Sequence, residues 1–186
     1  SSMEGSSSFI ADATSVNDVF VDSDAIIDIL DSSTLNPTQI IGKTVTIAAN
    51  NTVGVNSLAK AEVHADIAKG TVTSISRVNI GLSTDPSEAK LTIGNNAVVT
   101  AIDDLIIRAT NQQQGSGILN RAEANAFGGL TSTANTLADG TVTVASTVES
   151  GNGAQMSGDT IEYQAQSDYA LNRQPVGTAD TVVSHF

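Results

Sequence analysis

A passage that returns at long spacing constrains this chain more than any other feature. Val45-Thr-Ile-Ala-Ala49 is followed by Leu58-Ala-Lys-Ala-Glu62, and Leu105-Ile-Ile-Arg-Ala109 by Leu119-Asn-Arg-Ala-Glu123. A looser copy runs from Ile161-Glu-Tyr-Gln-Ala165 to Leu171-Asn-Arg173. Leu105 follows Val45 by 60 positions and Ile161 follows Leu105 by 56. One supersecondary unit is used repeatedly, which is the signature of a solenoid that presents surface and length rather than a folded pocket.

Composition agrees with that reading. Aromatic residues make up 3% of the 186 and there is no tryptophan, while Ala, Val, Thr, Ser, Asn and Gly dominate. Small side chains suit narrow stacked strands and cannot line an aromatic cleft. Twenty acidic residues face eight basic ones, giving a net charge of −12 that repels nucleic-acid phosphates and anionic membranes, so neither is an expected partner. Without cysteine there is no disulfide framework and no thiolate metal site. No stretch approaches the roughly 20 apolar residues of a membrane helix. The opening Ser1-Ser-Met-Glu-Gly-Ser-Ser-Ser8 lacks the basic and apolar regions of a signal peptide.

From Gln39 onward the pattern is one of short strands with period-two alternation, such as Thr44-Val-Thr-Ile-Ala48, Ala61-Glu-Val-His-Ala65, Thr71-Val-Thr-Ser-Ile75 and Thr141-Val-Thr-Val-Ala145. Gly94-Asn-Asn96, Asp103-Asp104, Asp139-Gly140 and Gly151-Asn-Gly153 supply corner residues. Residues 1–35 are set apart as an N-terminal segment or cap, and 36–186 form the repeat domain. Within the first segment, residues 24–30 read as a strand in preference to a short helix.

Two architectures satisfy such a pattern. Antiparallel hairpins in a β-sandwich would use Asp139-Gly140 and Asn-Gly steps as turns. A right-handed parallel β-helix is the favoured all-β fold, because it alone explains why a block of 56 to 60 residues recurs whole. With coils of about 20 residues the chain would hold about nine, a rod of about 40 Å at roughly 4.8 Å per coil. Val45, Ile47, Ala49, Leu105, Ile107, Ala109, Ile161, Tyr163 and Ala165 are then expected to stack as inward ladders.

Residues 89–109, containing Ile93-Gly-Asn-Asn-Ala-Val-Val-Thr-Ala101 and Leu105-Ile-Ile-Arg-Ala109, followed by Ala122-Glu-Ala-Asn-Ala126-Phe-Gly-Gly129, resemble the repeat of leukotoxin-type filamentous adhesins, which are similar in architecture to filamentous haemagglutinins. The likeness covers 40–70 and 89–165, a little over half the chain. It implies a right-handed parallel β-helix in a secreted bacterial surface rod, and brings no catalytic residues.

Chemistry-bearing constellations are few. Asp22, Asp24 and Asp28 are the candidate metal ligands, for calcium, though no EF-hand or glycine-rich calcium repeat accompanies them. Asp103-Asp104 reads as a corner. His64 reads as a solvent-facing strand residue, with Asn125 in the matching place of the next block, and His185 belongs to the C-terminal end. Lys60, Arg121 and Arg173 fall at equivalent places and predict a basic ladder. Gly115-Ser-Gly117 is too short for a phosphate cradle, and no Gly-x-Ser-x-Gly elbow occurs. Thr-Val-Thr at 44–46, 71–73 and 141–143 raises ice binding, against which stands their wide separation.

The expectation is therefore a non-enzymatic structural or adhesive segment of an extracellular or cell-surface protein or filament, with no cofactor other than the calcium just named. Alternatives are a glycan- or host-protein-binding module, a β-helical polysaccharide lyase and an ice-binding protein. Unpaired strands at the ends of a solenoid further predict end-to-end self-association or continuation into a longer chain.

Overall fold

The structure, a computed structural model, describes residues 2–7, 10–65, 69–115 and 117–181. Its strands are β1 (Ser2–Ser7), β2 (Ile10–Val21), β3 (Ala25–Ile29), β4 (Gln39–Gly42), β5 (Val45–Val53), β6 (Asn56–Ala65), β7 (Lys69–Ile80) and β8 (Ser87–Ile93). They continue as β9 (Val98–Ala101), β10 (Asp104–Gln113), β11 (Ile118–Gly128), β12 (Thr131–Val142), β13 (Val144–Ser150), β14 (Gln155–Ser157), β15 (Thr160–Asp168) and β16 (Leu171–Thr181).

The chain visits five sheets in turn and comes back to each after one circuit. The sheets are β1-β6-β11-β16 (sheet 1), β2-β7-β12 (sheet 2), β3-β8-β13 (sheet 3), β4-β9-β14 (sheet 4) and β5-β10-β15 (sheet 5). All eleven pairings among the described residues are parallel. The fold is thus an all-β parallel solenoid, and the antiparallel sandwich is excluded.

The coil is much wider than the sequence reading allowed. Leu105 registers with Val45 on one side and Ile161 on the other, so one block is one coil, and the chain makes three circuits rather than nine. At roughly 4.8 Å per rung the stack is about 15–20 Å deep, not a 40 Å rod. The physical reason lies in the interior side chains. Ala59, Ala61, Ala122, Ala124 and Ala126 of sheet 1 are buried against sheet 2, along with Ser74 and Ser76 of sheet 2 itself. Residues this small let two long strands lie flat on each other instead of folding into a narrow triangle.

Among the described residues three apolar clusters fill the interior. One lies among sheets 3, 4 and 5 around Leu91, Ile93, Val99, Leu105 and Ile107. A second, toward the Ala65 end of β6, is built from Ala11, Ala13, Ala61, Val63, Val72, Ala124 and Ala126. Between them lie Val53, Val78, Ile80 and Ile118. The expected ladders are present in register as Val45/Leu105/Ile161, Ile47/Ile107/Tyr163 and Ala49/Ala109/Ala165. Leu105, Ile107 and Ala109 are fully buried, whereas Ile161 and Tyr163 on the last rung are 48% and 46% exposed.

Residues 10–29, set apart as a cap, are rungs of the stack. β2 pairs with β7 and β3 with β8 in continuous register. Their acidic outward positions disguised an inward alternation of Ala11, Ala13, Val19, Val21, Ile27 and Ile29.

Candidate functional site

Between the apolar clusters the interior is crossed by amides. Asn51 and Asn111 register with each other in sheet 5 and point inward with the same parity as Val45 and Leu105. Asn51 Nδ2 donates to the Ser23 carbonyl and to Ser87 Oγ, and Ser23 Oγ donates back to Asn51 Oδ1. Asn111 Nδ2 donates to the carbonyls of Ser87 and Ala145, while Tyr169 Oη donates to its Oδ1. Burial raises the Tyr169 phenol above its ordinary pKa, which keeps it the donor.

A second crossing lies in sheet 1. Asn120 Nδ2 donates to the carbonyls of Ser76 and Asp139, and Ser57 shares a hydrogen bond with Ser76 and accepts one from Asn17. Each amide satisfies main-chain oxygens that face the interior, since a buried polar group without a partner is costly. Sequence reasoning missed these residues. Their signal was the inward parity of Asn51 and Asn111 within the repeated block.

The corner between sheets 3 and 4 carries another polar stack. Asp31 accepts from Asn95 N–H at 2.7 Å and from Asn95 Nδ2 at 2.9 Å, and Asn95 Oδ1 accepts from Asn152 N–H at 2.7 Å. The backbone donor, then the side-chain donor, holds the Asp31 carboxyl below its usual range. Asn96 takes a left-handed φ of 57° there, as asparagine tolerates, and Gly153 one of 72° in the next coil.

The candidate calcium residues are not gathered into one cluster. Asp22, Asp24 and Asp28 are exposed, Asp28 on the outer face of β3. Asp24 accepts the Glu88 N–H at 2.9 Å and so caps a rung. Among the described residues no three His, Asp or Glu side chains gather as metal ligands. Asp103 sits at the corner between sheets 4 and 5, its N–H donating to the Lys43 carbonyl and its carboxylate 3.7 Å from Lys43 Nζ.

Two alignments on the outer faces are corrected. His64 registers with Phe127, not Asn125, whose partner is Glu62. The His64 and Phe127 rings stack at 4.6 Å with 9° between planes, and His64 Nε2 lies 3.0 Å from Glu62 Oε1. That hydrogen bond, opposed by burial and assisted by Lys60, lowers the Glu62 pKa. The basic ladder also dissolves. Lys60 registers with Glu123, Arg121 with Leu58 and Gln174, and Arg173 with Asn120. The three cations instead pair with acids, Lys60 with Glu62, Arg121 with Glu123 and Arg173 with Asp139.

The Thr-Val-Thr runs at 71–73 and 141–143 both fall in sheet 2, but at opposite ends of its strands, since Thr141 registers with Asn79, while 44–46 opens β5 in sheet 5. Thr71 and Thr73 sit beneath Thr133 and Asn135 and above Asp12 and Thr14. His185 and the apolar end after Thr181 lie outside the described residues, as does Ser116 of Gly115-Ser-Gly117. At the C-terminal end of the stack the interior opens as a cleft lined by Val142, Val144, Ser167, Tyr169, Leu171 and Arg173. Arg173 is engaged there, donating to the Gly140 carbonyl at 2.6 Å. Comparisons with protein-family models, curated protein sequences and solved structures find no match for this chain.

Proposed function

We propose that the protein is a non-enzymatic structural segment of an extracellular, adhesive surface protein or filament. The observation that carries this reading is the end rung, where Ile161 and Tyr163 continue fully buried columns and stand half exposed. Such columns are built to be continued. Further support comes from the spending of polar chemistry on the fold, since the Nδ2 groups of Asn51, Asn111 and Asn120 all donate to main-chain carbonyls, Asn120 Oδ1 alone of these amide oxygens being buried without a partner. The resemblance of the repeat to filamentous adhesins supports the extracellular setting. Incubation with a panel of polysaccharides tests it; any shortened or unsaturated sugar product overturns the non-enzymatic reading.

A glycan- or host-protein-binding module is the second reading. The outer face of sheet 2 favours it, where Val16, Ile75 and Leu137 register as an aliphatic column, Val16 and Leu137 exposed, with Phe20 exposed nearby. Retention on a glycan array, lost on Leu137→Asp substitution, would select it over a passive rod.

A further inference from the structure

Sheet 1 has one rung more than the other four, because β1 lies beneath β6 while β16 lies above β11. That extra rung matters when a second copy is set on the stack. Added head to tail, its β2, β3, β4 and β5 would follow β12, β13, β14 and β15 in the same parallel sense. The inward columns run on without a size conflict. By register, Val21 of the incoming copy meets Val142, Ile40 meets Met156, Val45 meets Ile161, Ile47 meets Tyr163, and Ala49 meets Ala165. Its Asn51 falls over Ser167, in the place Asn51 and Asn111 occupy within the chain.

The obstacle is in sheet 1. β1 registers Ser2–Ser7 with Lys60–Ala65 of β6. Through Glu123 to Gly128 of β11, the same β6 residues correspond to residues 176–181 of β16. In a head-to-tail stack, β16 of one copy and β1 of the next claim one slot beneath β6. β16 extends that register over all of Asn56–Ala65, four residues beyond the reach of β1. We propose that the N-terminal edge of this solenoid is the docking surface for the C-terminal rung of a second copy, and that β1 is the strand that must leave for β16 to enter.

One feature of β16 opposes free addition. Ile118 N–H donates to Ala170 and Leu119 N–H to Val55, so alternate β11 donors point toward β16 and toward β6. Pro175, partner of Ala122, has the parity of Leu171 and Ile118. Its missing donor therefore faces the free edge. It costs nothing within the chain and removes one bond from any incoming strand, a known way of blunting an edge. The exchange is gated on both sides.

This deepens the structural reading above and fails separately from it, since a chain that never self-associates still leaves a passive segment with no enzymatic product. The test uses the Glu4→Cys, Glu62→Cys double variant. These are register partners in a chain with no other cysteine, at a Cα separation a disulfide spans. Light scattering in high salt should find the oxidised form monomeric, and the reduced form, like a variant lacking residues 1–9, at least about twofold heavier and growing with concentration, as an open heterologous contact requires. Equal masses for the oxidised and reduced forms would overturn the proposal. So would a folded deletion variant that stays monomeric; if the deletion does not fold, the oxidised and reduced pair decides alone.

Discussion

Asn111 lies one rung above Asn51 in register, and each turns its amide across the interior onto main-chain carbonyls of the facing wall. In an all-apolar solenoid, one residue's slip moves every inward side chain out. Amides that must reach a particular carbonyl fix the register instead. Replacing Asn111 by Ala strips partners from the Ser87 and Ala145 carbonyls and from the Tyr169 hydroxyl. The expected loss is about 2–4 kcal/mol, read from urea unfolding midpoints. Thr110→Ala, on the outer face of the same strand, should stay within about 0.5 kcal/mol.

Ile107 and Tyr163 belong to one column but differ in cover, the first fully buried and the second 46% exposed. Ile107→Ala should cost about 2–5 kcal/mol. Tyr163→Ala should cost less than half of that in the monomer, because its side chain is only half buried. Equal losses at the two positions would mean that the last rung is covered in solution.

The block, its inward ladders and the strand character of the chain were legible because Val45, Leu105 and Ile161 keep their alternation through three circuits. Coil width was not, since a period of 56 to 60 residues is compatible with one wide circuit or several narrow ones until facing partners are known. The His64 alignment failed for a local reason. The first coil passes from β5 to β6 through Gly54 and Val55 alone, whereas the second uses residues 114–117 and begins β11 one residue before the partner of Asn56, so the register in sheet 1 shifts relative to sheet 5. The amide crossings were visible in parity but looked like ordinary polar residues, because only the opposite wall shows which carbonyls need them.

Asp31 gives a pH dependence with a definite sign. Its folded pKa is lowered by the Asn95 donors, so its contribution is present above the ordinary carboxylate pKa and lost as pH falls through the lower folded value. Asp31→Asn should therefore destabilise near neutrality, and the gap to the parent should close as pH drops below about 4. Urea midpoints across that range check it; a gap that widens in acid would contradict the assignment.

Two glycines separate close approach from backbone conformation. A Cβ at Gly94 would lie 2.5 Å from Asp31 N and Ile29 O, main chain of the rung beneath. Gly94→Ala should cost more than about 3 kcal/mol or prevent folding. At Gly115, φ is +59° and a Cβ would meet nothing within 4 Å. Gly115→Ala should cost only the left-handed penalty, about 1–2 kcal/mol.

Charge at the proposed joint sets its response to salt. Within the chain, Arg77 separates Asp18 from Asp139 in one column, with its Nη1 3.1 Å from Asp18, and Lys90 lies 3.6 Å from Glu149. A second copy set head to tail would place its Asp18 on Asp139 and its Asp28 on Glu149, two acid-on-acid register steps, although Arg173 Nη1 lies 3.9 Å from Asp139. Directly opposed like charges destabilise a strand pair, and the net charge of −12 adds a longer-range repulsion. Both are screened once the Debye length falls to a few ångströms, at roughly 1 M salt. Association of the variant lacking residues 1–9 should therefore rise steeply with salt, and Asp139→Asn with Glu149→Gln should move that rise to lower salt without changing the monomer's unfolding free energy by more than about 1 kcal/mol. Sedimentation velocity across a salt series reads both effects, and association that weakens with added salt would place the joint somewhere other than on these columns.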